Sequence, residues 1–70
     1  MFVKLTRFSS EDTFYINANM LVSISLTEYP GQKDTACTFV EHLHGDTDLK
    51  EGYYVKETPE EIIKMIYKHL

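Results

Sequence analysis

A single cysteine, Cys37, occurs among 70 residues, so no disulfide can form within the chain. There is no apolar run approaching the roughly 18 residues that a membrane span requires. The opening stretch, MFVKLTRF, sets Lys4 and Arg7 among alternating apolar residues and reads as neither a signal peptide nor a membrane segment. With one unpaired cysteine arguing against secretion, a soluble, cytoplasmic setting is expected. Basic side chains are few and scattered. Lys4, Arg7, Lys33, Lys50, Lys56, Lys64 and Lys68 stand against 11 Asp and Glu, for a net charge of −4. Nucleic-acid binding draws on clustered Lys and Arg that neutralise phosphates, and nucleic acid is not expected as a partner. Also missing are a Gly-rich phosphate loop, a G-x-S-x-G elbow, C-x-x-C and H-E-x-x-H.

What is present is a run of short alternating segments. Residues 2–8 (FVKLTRF) place Val3 and Leu5 on one face and Lys4 and Thr6 on the other, the period of a strand. The turn composition of SSED follows, and TFYIN at 13–17 completes a hairpin. NAN at 17–19 breaks the pattern, since Asn tolerates left-handed backbone. In LVSISLT, residues 21–27, Val22, Ile24 and Leu26 share a face opposite Ser23 and Ser25, which predicts a half-buried strand. EYPGQKD is a loop, with Pro30 presetting φ and Gly31 supplying positive φ. TACTFVEHL at 35–43 is a fourth strand, HGDTDLKEG a second polar loop, and YYVKE at 53–57 a fifth strand.

TPEEIIKMIYKHL changes period. Thr58 as N-cap, Glu61 three residues later and Pro59 at the first helical position start a helix. Glu60 and Glu61 in its first turn and Lys68 and His69 in its last suit the helix dipole. Ile62, Ile63, Ile66, Tyr67 and Leu70 form an apolar stripe to dock on the sheet. Short connections favour antiparallel neighbours. The expected fold is therefore α+β: one domain over residues 1–70, an antiparallel β-meander of about five short strands with one C-terminal α-helix packed on it. A core this small is near the lower limit of self-sufficiency, and its strand edges offer unpaired backbone; a homo-oligomer, as a dimer, is expected.

One stretch has the look of chemistry. EHLHGDTD, residues 41–48, places His42 and His44 on one face of a strand, with Asp46 and Asp48 following. An H-x-H pair with Asp46 is a metal-ligand candidate, but a site needs about three or four fixed ligands and Gly45 leaves the aspartates in a loop. The favoured reading is a hairpin tip with no metal and no cofactor. Cys37 lies at odd spacing from both histidines, so a strand sends its thiol to the opposite face, and no Cys–His catalytic pair is expected. The Asp46, Asp48 and Glu51 spacing lacks the flanking helices of a calcium loop. Tyr53 and Tyr54 are adjacent, so one must face away from the core, and Tyr29 falls in a loop. Exposed tyrosines mark protein interfaces. Tyr29, His42, His44, Asp46, Asp48 and Tyr54 are the candidate partner-binding residues, and a non-enzymatic binding module is expected rather than an enzyme.

Two stretches together resemble a known family. Lys4, Leu5, Thr6 and Arg7 in the opening strand, then Ile16, Asn17, Ala18, Leu21 and Ile24, form the first. Tyr53, Val55, Lys56, Glu57, Glu60, Glu61, Ile62 and Ile66, with Thr58 standing for a usual serine, form the second. They are similar to the FlbD/SwrD-like family of small bacterial flagellar, swarming-motility proteins. In the middle the chain departs, carrying YPGQKDTA and HGDTDLKEG where the family has one short hairpin. The resemblance implies the same meander-and-helix fold and an adaptor that works by contact with a motor or assembly component. It transfers no functional residue. The alternative is a small phage- or bacterium-encoded inhibitor that binds a host protein through its acidic loops and an exposed strand edge.

Overall fold

The computed structural model describes residues 1–44 and 49–68. Asp46, Asp48, His69 and Leu70, to which the sequence reading gave roles, lie outside the described residues. The elements are β1 (Phe2–Thr6), β2 (Thr13–Asn17), a single 3-10 turn (Ala18–Met20), β3 (Leu21–Glu28), β4 (Ala36–Leu43), β5 (Lys50–Val55) and α1 (Pro59–Tyr67). All strand pairs are antiparallel, in two sheets: β1–β2, and β3–β4–β5. This is the expected α+β meander with a C-terminal helix.

The sheets are joined where β1 runs out beside the end of β5. Arg7 bridges Val55, Phe8 N–H donates to Tyr54 O at 2.9 Å, and Lys56 N–H donates to Thr6 O at 3.0 Å. The Glu57 carboxylate completes the seam. One oxygen accepts from Thr6 N–H and the other from the Thr6 hydroxyl, both at 2.8 Å. Across the seam the core assembles from both sheets and the helix: Val3, Leu5, Ile16, Val40, Val55 and Ile62 are buried together. Complete burial of such a side chain is worth about 1.5–3 kcal/mol.

Four local expectations are revised. The 17–19 stretch does not use left-handed backbone. Asn17 instead caps the 3-10 turn, its side-chain oxygen accepting from Asn19 N–H at 3.0 Å. Positive φ falls at Glu11 and Asp34, and, as expected, at Gly31 with φ 79°. Strand β5 begins at Lys50 and ends at Val55, so the polar loop before it is shorter than the composition suggested. In β3 a bulge between Leu21 and Ser23 interrupts the alternation. Leu21 and Ile24 pack on the core, while Val22 and Leu26 are 45% and 68% exposed. The helix begins as read, with the full Thr58–Glu61 capping box and Pro59 in its first turn. Its docking stripe, however, is Ile62, buried, with Met65 and Ile66 partly buried against the core; Ile63 and Tyr67 are 42% and 66% exposed, because α1 meets β1 and β3 along a narrow line.

Two stability outcomes follow. Ile62→Ala should cost about 2–5 kcal/mol in urea unfolding, enough to unfold much of so small a domain, whereas Ile63→Ala should stay within about 1 kcal/mol. Glu57→Ala removes two charge-assisted bonds from Thr6 and should cost about 2 kcal/mol; an unchanged midpoint would show that the backbone bonds alone hold the seam.

Candidate protein-binding surface

Strands β4 and β5 have two working faces, set by their register. Val40 lies opposite Tyr53, Thr38 opposite Val55, and His42 opposite Glu51 on the core side; Phe39 lies opposite Tyr54 on the other. The adjacent tyrosines therefore part, as the sequence required. Tyr53 packs against the core, and Tyr54 turns outward.

On the inner side, polar and aromatic groups close around Tyr53. The Arg7 guanidinium sits 4.3 Å from the Phe14 ring centroid and 5.4 Å from that of Tyr53, with Asp12 at 3.6 Å. Its Nη1 is buried without a hydrogen-bond partner, so the ring faces supply much of the compensation for its charge. His42 stacks on Tyr53 at 5.3 Å and 11°. Its Nδ1 donates to Leu43 O at 2.8 Å, while Nε2 is 4.0 Å from Glu51 Oε2. His44 Nδ1 is 3.2 Å from Glu51 Oε1. The Tyr53 hydroxyl donates to Glu51 Oε2 at 2.7 Å. The H-x-H pair thus does converge, but on a carboxylate that belongs to the neighbouring strand. Among the described residues no group of three or more His, Cys, Asp or Glu side chains is arranged to hold a metal ion. The other candidate ligand, Asp46, lies outside the described residues.

Cys37 is buried on the face opposite His42, and burial pushes its thiol pKa up. Thiolate is the reactive form, and burial disfavours it here.

On the outer side four rings form a chain. Phe8 stacks on Tyr29 at 4.7 Å, Tyr29 meets Tyr54 edge-on at 5.5 Å, and Tyr54 meets Phe39 at 4.8 Å. Tyr29 reaches this face because the loop after β3 curls back: its N–H donates to Thr35 O at 2.8 Å, and Gln32 N–H donates to its carbonyl at 3.1 Å. Gly52 makes room for Phe39. A Cβ there would lie 2.2 Å from the Phe39 ring, so the aromatic side chain covers the bare backbone of β5. Beside this chain is a hollow of about 210 Å³ lined by Arg7, Ser9, Tyr29, Gly52, Tyr53 and Tyr54. It is concave and tyrosine-rich, with Arg7 among its lining residues.

Of the six candidate binding residues, Tyr29 and Tyr54 are brought together here, His42 and His44 form the separate cluster on Glu51, and Asp46 and Asp48 lie outside the described residues. Arg7, Phe39 and Glu51 were missed. Glu51 had a signal: Glu51, Tyr53 and Val55 keep strand period, so β5 could have been started two residues before the tyrosines.

Comparison of the chain with known protein families, curated proteins and solved structures finds no match in any of the three. Among the described residues no helix is long and apolar enough to cross a membrane.

The Glu51–Tyr53 bond generates a pH test. The bond from the Tyr53 hydroxyl is the main cause holding Glu51 below its ordinary pKa, and the same bond pushes Tyr53 upward. A depressed carboxylate contributes stability that is present above its unfolded value and lost as pH falls through the folded one; a raised tyrosine contributes stability that is lost only as pH rises through its folded value. In Tyr53→Phe, the carboxyl titration of Glu51 followed by NMR should move up, towards the ordinary glutamate range. No movement would mean that the two histidines, not the hydroxyl, set its charge.

Proposed function

We propose that this chain is a non-enzymatic protein-binding adaptor that presents the outer face of β4 and β5 to its partner. The hollow framed by Tyr29 and Tyr54 carries this reading. Tyrosine gives large contact area at little cost in side-chain freedom, and arginine with tyrosine dominates binding energy at interfaces. The hollow suits one apolar or planar side chain of a partner, with the Tyr54 ring as its wall. Nothing in it pairs a nucleophile with a base within reach, which acyl or group transfer requires. The FlbD/SwrD-like resemblance favours a cytoplasmic flagellar motor or assembly component as the partner.

A second reading, an inhibitor of a basic host protein, draws on a different feature. Glu28 and Asp34 line a hollow of about 310 Å³ with Leu26, Thr27 and Ala36, on a chain of net charge −4.

Pull-down from the native cells compares wild type with three variants: Tyr54→Ala, the His42→Ala/His44→Ala pair, and the Glu28→Gln/Asp34→Asn pair. The adaptor reading expects Tyr54→Ala to weaken capture at least about tenfold, with the histidine and acidic pairs close to wild type. Loss of the partner only in the acidic pair would support inhibition instead. Full capture by Tyr54→Ala, with circular dichroism confirming its fold, would overturn the hollow as the site.

A further inference from the structure

The outer edge of β3 carries a feature that the adaptor surface leaves unused. Among the described residues β3 is paired on one side only, by β4. It is as long as any strand in the fold, and apart from one bulge its edge carries no Lys and no Pro from Leu21 to Thr27. The bulge at its start is the sole irregularity; from Ser23 to Glu28 the ladder to β4 is regular.

The residues along this edge are also unusual in placement. Ile24 and Leu26 share a face by alternation, and Ile24 packs against the core. Leu26 is nonetheless 68% exposed and Val22 45%. The apolar face of the sheet therefore continues past what the described residues cover.

We propose that a second copy of this chain covers it, by antiparallel pairing of β3 with β3 about a two-fold axis at Ile24. The sequence Val22-Ser23-Ile24-Ser25-Leu26 reads nearly the same in both directions. Such an axis places Val22 of each copy opposite Leu26 of the other, Ser23 opposite Ser25, and Ile24 opposite itself. Both exposed apolar side chains are then covered by apolar partners, the cross-strand pairing that stabilises sheets. Charge selects this edge for like copies. Two chains of net −4 repel, yet no Asp, Glu, Lys, Arg or His occurs from Thr13 to Thr27. A self-paired patch of this kind is isologous, the commonest symmetry of small oligomers.

Light scattering at about 100 μM, where a micromolar dimer is largely formed, should give twice the chain mass for wild type and for Phe2→Lys, which charges an exposed aromatic elsewhere. Leu26→Lys should give the single mass while keeping its far-UV spectrum. The register has its own test in a Cys37→Ser background. Ser23→Cys mixed with Ser25→Cys should form a disulfide-linked dimer much faster than either variant alone, because directly opposite residues lie within disulfide reach. A monomeric wild type, a dimeric Leu26→Lys, or cross-linking no faster in the mixture than in the separate variants would each overturn the proposal.

Discussion

The seam between the two sheets is the constraint on which the rest depends. A two-stranded hairpin such as β1–β2 is marginal in water, and a nine-residue helix is marginal alone. Neither has a disulfide to hold it, since Cys37 is the lone cysteine. They become stable by sharing one core, and they share it because Thr6, Arg7 and Phe8 lie against Tyr54, Val55 and Lys56. Glu57 fixes that alignment with two bonds to one residue. It immediately precedes Thr58, the cap of α1, so the same few residues aim the helix at the core. Ile62 then drops between the sheets and is fully buried.

Around this frame the β4–β5 pair separates two kinds of surface. Its inner side gathers polar groups around Tyr53: Glu51 takes the Tyr53 hydroxyl and faces both histidines, and Arg7 rests on two rings, while Arg7 Nη1 and His42 Nε2 are buried without a hydrogen-bond partner. Its outer side has aromatic neighbours and an open hollow. Each side also has a hollow, about 350 Å³ beside His42 and Tyr53 and about 210 Å³ beside Tyr29 and Tyr54.

The same logic explains why EHLHGDTD looked like a site. Alternation placed His42 and His44 on one side, and the two rings do meet a common acidic group. That group is Glu51, from the returning strand. A carboxylate opposite a histidine across an antiparallel pair, as Glu51 is opposite His42, is ordinary cross-strand pairing. Lys4 to Arg7, Ile16 to Ala18 and the stretch from Tyr53 to Ile66 occupy strand, turn and cap positions, where they specify how the chain folds.

Much of the fold was legible because its signals are local. Period-two alternation marked β1 and β3, a run of Thr, Phe and Val marked β4, the Thr58–Glu61 box and Pro59 marked the start of α1, and adjacency forced Tyr53 and Tyr54 apart. Backbone geometry within a few residues decides all of these. What the sequence could not show depends on which distant segment lies alongside. The bulge in β3 falls at exposed Val22, where pairing with β4 shifts, while Leu26 is exposed in the regular ladder beyond it. The helix buried Ile62, Met65 and Ile66 rather than Ile63 and Tyr67 because the seam set its angle of approach. Tyr29 joined Tyr54 only because its loop folds back over the sheet. The sequence by itself determined the elements and their polarity; the tertiary structure decided which side chains meet, because register and docking are fixed by long-range packing that no local pattern encodes.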